Sequence, residues 1–105
     1  MPAAAKSTEA YAYESITVST AAISLTSTKV VPTTGSTRPA FEAYITVEPT
    51  NALRYRMDGT APTSSEGHAL AGGGSMTITG TKNLQKLQLI RSGAADAVVK
   101  VTYFR

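Results

Sequence analysis

The chain has 105 residues, enough for one domain with a modest hydrophobic core. It contains no cysteine, which excludes a disulfide framework and thiol chemistry and favours folding in a reducing cytoplasm. The net charge is +3, but the ten Lys and Arg residues are scattered and form no basic block of the kind typical of nucleic-acid binders.

Residues 1–13 mix small, polar and charged residues with Tyr11 and Tyr13. They lack the basic-then-apolar order of a signal peptide, and no apolar run in the chain approaches the roughly 20 residues that span a bilayer. One interpretation is a frayed terminus. The other is a flexible arm that orders on a neighbouring subunit, with the two tyrosines as anchors. We therefore divide the chain into an N-terminal arm, 1–13, and a single β-sandwich domain, 14–105.

Alternating apolar and polar residues predict a first strand over 14–20, which continues through Ile23 and Leu25. After these two segments, a third short apolar segment lies at 29–31. Residues 32–39 are dense in Pro, Gly, Ser and Thr, which predicts a loop.

The segments 41–48 and 53–57 alternate most clearly. We expect them to pair as an antiparallel hairpin, which would bring the charged residues of their polar faces together. Those residues are Glu42, Glu48, Arg54 and Arg56. The same alternation points Tyr55 into the core, which argues against a nucleic-acid surface built on the Arg-Tyr-Arg triplet.

A strong turn signal at Asp58 and Gly59 ends the second of these strands. The following residues, 60–67, are polar, and Pro62 prevents a long strand from continuing through them. A two-faced strand that opens into a long polar loop is typical of a β-sandwich whose specificity lies in that loop.

Three further strands are predicted over 76–79, 84–91 and 97–104. Leu84 and Leu87 also fit a helical spacing, but the short run and its flanking turns favour a strand. The closing segment is apolar on both faces, so we expect it to be central or to be covered by another subunit. About seven or eight short strands predict an all-β fold, a small antiparallel β-sandwich or jelly roll, with no helix longer than about three turns.

No catalytic or cofactor-binding motif is present, and we do not expect an enzyme. Asp58, Glu66 and His68 lie on one loop, but their spacing matches neither a zinc nor a calcium site, so no metal is expected. Ser64, Ser65 and His68 could suggest a nucleophile and base, yet no Gly-x-Ser-x-Gly elbow is present.

The sequence Arg54-Tyr-Arg-Met-Asp-Gly-Thr-Ala-Pro-Thr63, followed by Gly67-His68 and the closing Val99-Lys-Val-Thr-Tyr-Phe104, resembles small virion proteins of tailed bacteriophages. The resemblance covers residues 40–105. It implies a β-sandwich module that decorates or cements a capsid, or that belongs to the neck or tail. It implies no catalytic residue.

The expected function is therefore a capsid cement or decoration protein that binds the assembled lattice in the virion, after assembly in the bacterial host cytoplasm. Expected partners are the major capsid protein or other virion proteins and further copies of the chain, as a trimer or alternatively a dimer. The expected contact residues are Tyr11, Tyr13, Arg54, Arg56, Thr60, Pro62 and His68. The alternative is a tail or neck module that binds carbohydrate or another virion protein. No membrane and no specific nucleic acid is expected.

Overall fold

A computed structural model describes residues 9–33 and 38–105. They form two four-stranded antiparallel sheets around one core, which confirms the predicted all-β sandwich. The strands are β1 (Ala10–Val18), β2 (Ile23–Ser24), β3 (Glu42–Val47), β4 (Leu53–Arg56), β5 (His68–Leu70), β6 (Ser75–Thr79), β7 (Gln88–Arg91) and β8 (Ala97–Phe104). The first sheet has the order β1-β8-β3-β6, and the second sheet has the order β2-β7-β4-β5.

Strand β8 is the clearest case of alternation producing the fold. Its inward side chains, Ala97, Val99, Val101 and Tyr103, are buried, whereas those between them are partly exposed. It lies between β1 and β3, so the prediction that the closing strand is central is confirmed.

Glu14 is a polar residue on the inner side of β1, and it lies at one edge of the core. Its carboxylate accepts hydrogen bonds from the Tyr103 hydroxyl and from the backbone N–H and hydroxyl of Thr26. Burial, followed by the hydrogen bond to Glu14, raises the pKa of Tyr103 far above its usual value, so this phenol stays neutral. The carboxylate therefore joins the first and last strands to the segment that precedes the first helix.

Two short helices occupy segments whose sequence predicted a turn or strands. The helices are α1 (Ser27–Val30) and α2 (Thr81–Lys86). The predicted strand over 84–91 is wrong in its first half, because α2 continues to Lys86 and only Gln88 begins β7. Leu84 in the helix and Leu87 directly after it are both fully buried. No helix in the described part of the chain is long and apolar enough to cross a membrane.

The expected hairpin between 41–48 and 53–57 is also wrong, because β3 and β4 belong to different sheets. Each strand has one apolar face, and Ile45 and Leu53 are both fully buried in the same core. Placing the strands on opposite sides of the core buries both faces at once. The expected charge pairs between the two strands therefore do not form.

Strand β1 begins at Ala10, so the boundary expected between residues 13 and 14 falls inside a strand. Tyr11 packs against the core, its hydroxyl donates to the Lys29 carbonyl, and the Arg105 guanidinium lies 4.5 Å from its ring centroid. Deleting residues 1–13 would thus remove part of the sheet as well as the terminus. Residues 1–8, the rest of the expected arm, lie outside the described residues.

The cross-strand partners Leu89 and Ile23 offer a matched test of the core. Leu89 is fully buried and Ile23 is 38% exposed. Leu89→Ala should lower the free energy of unfolding by about 2–5 kcal/mol because it leaves a cavity, and Ile23→Ala by only about 0.5 kcal/mol. Urea unfolding measures both, and equal losses would contradict a core centred between the sheets.

Candidate partner-binding site

Residues 58–67, in the connection between β4 and β5, are referred to below as the 58–67 loop. Gly59 begins it with a φ of +89°, a conformation that favours glycine, and the Thr60 N–H donates to Asp58 Oδ1 at 3.3 Å. The turn predicted from the Asp-Gly pair is confirmed.

The 58–67 loop folds back over the outer side of the second sheet. Arg54 and Ile90 are cross-strand partners that point outward from this sheet, yet Ile90 is buried. Pro62 is buried too, and it lines the same cleft as Ile90, Thr63 and Ser64. The outer face of β7 at Ile90 is therefore covered by the chain itself.

Arg54 fixes the backbone of the 58–67 loop from below. Its Nε donates to the Ser64 carbonyl at 3.1 Å and its Nη1 donates to the Gly67 carbonyl at 2.9 Å. One rigid guanidinium thus holds the two ends of the loop's second half at a fixed spacing.

The tip of the loop is closed by its own hydrogen bonds. The Thr63 N–H donates to the Glu66 carbonyl at 2.9 Å, and the Thr63 hydroxyl accepts from the N–H groups of Ser65 and Glu66. Gly67, at a φ of +137°, returns the chain to β5, and a Cβ there would lie 3.1 Å from the Tyr55 carbonyl oxygen. The loop therefore has a defined backbone, and its exposed side chains are displayed on it.

An ion pair borders the loop where β4 ends. Arg56 Nη2 and Asp58 Oδ2 lie 2.5 Å apart, and Arg56 Nε donates to Asp58 Oδ1 at 3.1 Å. The hydrogen bonds from Arg56 and from the Thr60 N–H lower the pKa of Asp58 to about 2. The pair is exposed, so solvent and salt screen it.

A cleft beside the loop has a volume of about 500 Å³ and is open to solvent. Arg56, Asp58, Glu66 and His68 contribute to its walls, and the exposed His68 ring lies 5.3 Å from the Tyr55 ring. Within residues 9–33 and 38–105, no cluster of three or more His, Asp or Glu side chains could hold a metal ion. The cleft offers donors and acceptors for recognising a polar surface.

The structure separates the seven sequence-predicted contact residues into two groups. Arg54, Arg56, Thr60, Pro62 and His68 come together at the 58–67 loop, although Pro62 is buried and Arg54 holds the loop. The other two, Tyr11 and Tyr13, lie on β1 in the first sheet.

Sequence reasoning missed a second feature, on the outer side of the first sheet. Tyr13 pairs with Thr102, Thr102 with Tyr44, and Tyr44 with Thr77, so these residues form one line across four strands. We call them the tyrosine row: Tyr13, Thr102, Tyr44 and Thr77. The alternation of 41–48 did place Tyr44 on the polar face, but Tyr13 was assigned to an arm and its alignment with Tyr44 depends on strand order.

No protein-family model matches this chain, and no curated protein or solved structure matches it either.

Arg54→Met should loosen the 58–67 loop, because it keeps the side chain's apolar stem but leaves the Ser64 and Gly67 carbonyls without their charged donor. The local opening free energy should fall by about 1–3 kcal/mol. Hydrogen exchange of the amides in 60–67 measures it. Lys82→Met, an exposed site on α2, is the control; equal protection in both variants would contradict the role of Arg54.

Asp58→Asn tests the ion pair, because asparagine keeps an oxygen for the Thr60 N–H but removes the charge and one of the two oxygens that accept from Arg56. Since folding lowers the pKa of Asp58 from 3.8 to about 2, its stabilising effect is present above about pH 4 and is lost as the pH falls through about 2. The difference in unfolding free energy between wild type and Asp58→Asn should shrink over that range, and also with added salt.

Urea unfolding between pH 2 and pH 7 provides the measurement for this pair of proteins. Glu48→Gln, at an exposed site outside the loop, is the matched control. A wild-type advantage that stays constant down to pH 2 would show that the Asp58 charge is not its source.

Proposed function

We propose that this chain is a non-catalytic structural module that binds a partner protein through the 58–67 loop. The observation that carries the proposal is the loop's fixed backbone, held by Arg54 and closed by Thr63. A segment that is ordered before contact loses little conformational entropy on binding, so more of the contact energy becomes affinity. Thr60, Ser65 and Glu66 are exposed on this frame.

The shape and charge of the site favour a protein surface over a small molecule. Small-molecule sites are concave and mostly apolar, whereas the cleft at the loop is open and is bordered by charged groups. Arg56, Asp58 and Glu66 place both signs of charge within a short distance, which suits a partner of complementary, mixed polarity.

The proposed partner is the assembled capsid of a tailed bacteriophage, and the proposed location is the virion. Support comes from the resemblance of residues 40–105 to small virion proteins, whose shared motif includes most of the 58–67 loop. A protein that binds the assembled lattice, but not its isolated subunits, stabilises the lattice by mass action. We propose a homo-oligomer on the lattice, a trimer or alternatively a dimer, since a chain of 105 residues without disulfides has a limited core.

A second candidate, a tail or neck module that binds carbohydrate, is favoured by the tyrosine row. Tyr13 and Tyr44 are 57% and 45% exposed, and exposed aromatic rings are the groups on which sugar rings stack.

Mass spectrometry of purified particles first tests whether the protein is present in the virion. Recombinant protein is then sedimented with assembled capsids and, separately, with isolated capsid subunits of the phage that carries the chain. We expect binding to capsids alone. Absence from particles, or equal binding to free subunits, would contradict the proposal.

Ser65→Arg places a long side chain at the exposed tip of the loop and should weaken capsid binding by about tenfold or more. Ser27→Arg makes the same change at an exposed position on α1 and should bind like wild type. Circular dichroism checks that both variants are folded. Equal affinities would exclude the loop as the contact.

A further inference from the structure

The outer face of the first sheet is formed by the outward side chains of β1, β8, β3 and β6. Hydroxyl groups dominate it; besides the tyrosine row they include Ser15, Thr46, Ser75 and Thr79, and most are exposed. Phe104 and Val98 lie half-buried towards its two ends. An open surface of aromatic rings among hydroxyls results.

The tyrosine row sets the distance between the two exposed tyrosines of this face. Tyr13 and Tyr44 both pair with Thr102, so the single strand β8 separates them. Two strand-to-strand steps place their Cα atoms about 10 Å apart. Both side chains point to the same side of the sheet, because residues directly opposite each other in a sheet share a face.

The charge on this face is low. Of the charged residues in the four strands, Lys100 and Glu42 lie on the outer side and Glu14 lies on the inner side. The Lys100 amino group also donates to the Ser15 hydroxyl at 3.1 Å. Lys100 is the one cationic residue of these four strands, so the face lacks the cluster of cationic groups that a nucleic acid or an anionic surface requires.

We propose that this face binds an extended neutral polysaccharide, with Tyr13 and Tyr44 stacking on alternate sugars of one chain. The Cα separation of about 10 Å is comparable to the length of a disaccharide unit of an extended β-1,4-linked polymer. The face of an aromatic ring carries negative potential and attracts the C–H groups of a sugar ring. Between the two rings, the Thr102 hydroxyl can donate to and accept from the sugar hydroxyls.

The composition of the face favours a polysaccharide over a protein. The buried centres of protein interfaces are enriched in aromatic residues but depleted in Ser and Lys, whereas Ser15 and Lys100 lie directly beside the tyrosine row. A polysaccharide supplies a partner hydroxyl for each of these polar groups. The site lies on the opposite side of the sandwich from the 58–67 loop. The proposal therefore rests on the second candidate function, carbohydrate binding, and does not depend on capsid binding by the loop.

Native electrophoresis through gels containing hydroxyethylcellulose or glycol chitin tests the proposal on the full chain. Titration calorimetry with cellohexaose and chitohexaose gives the affinities. We expect retardation by at least one polymer, with little change at high salt because the face carries few charges. Tyr13→Ala and Tyr44→Ala should each weaken binding by about tenfold.

Tyr13→Phe and Tyr44→Phe keep the ring and should retain most of the binding. Ile23→Ala removes an exposed apolar side chain from the second sheet and should bind like wild type. Circular dichroism establishes that each variant is folded. The proposal is overturned if neither polymer retards the protein, if the alanine variants bind as well as wild type, or if they lose capsid binding only.

Discussion

The burial of one face of β8 is the interaction on which the rest of this structure depends. Its four inward side chains are buried between the sheets, and its two neighbours, β1 and β3, hydrogen-bond to it along most of their length. Because a strand's side chains alternate, burying one face of β8 presents the other to solvent. The same is true of β1 and β3, so the packing of the core aligns Tyr13, Thr102 and Tyr44 on the outside.

The second sheet uses the same alternation to hold a loop. Leu53 points into the core and fixes β4, and Arg54, one residue later, points outward beneath the 58–67 loop. The hydrogen bonds from this guanidinium to the Ser64 and Gly67 carbonyls fix the position of the loop backbone over the sheet. Pro62 and Ile90, both buried, add apolar contact where the polar loop meets the strand. The loop's conformation therefore follows from the register of β4, and movement of the tip would require Arg54 to give up its two acceptors.

Local pattern predicted much of this fold, and the errors share one cause. Alternation correctly predicted strands over most of β3 and β8, and the Asp58–Gly59 pair correctly marked a turn. The wrong assignments at Leu84 and Leu87 arose because two leucines three residues apart suit a helix or a strand end, and packing decides between them. The expected β3–β4 hairpin failed because strand pairing depends on which faces share the core, and short-range sequence does not record that. The same limit hid the tyrosine row, which exists only once Tyr13 and Tyr44 are both paired with Thr102.

The two proposed surfaces constrain how copies of the chain could associate. The sequence predicted that the closing strand is central or covered by another subunit, and its outward apolar residues Val98 and Phe104 are already half-buried. A subunit contact over that face would also cover the tyrosine row and exclude a polysaccharide from it. The 58–67 loop, on the opposite side, is the proposed contact with the capsid. An oligomer that keeps both surfaces free must therefore associate through the edges of the two sheets.

Among the four edge strands, β1 is the longest, with nine residues against two, three and five for β2, β5 and β6. An edge strand presents backbone groups that can pair with another chain, so the sides offer a contact that leaves each broad face available to its own ligand.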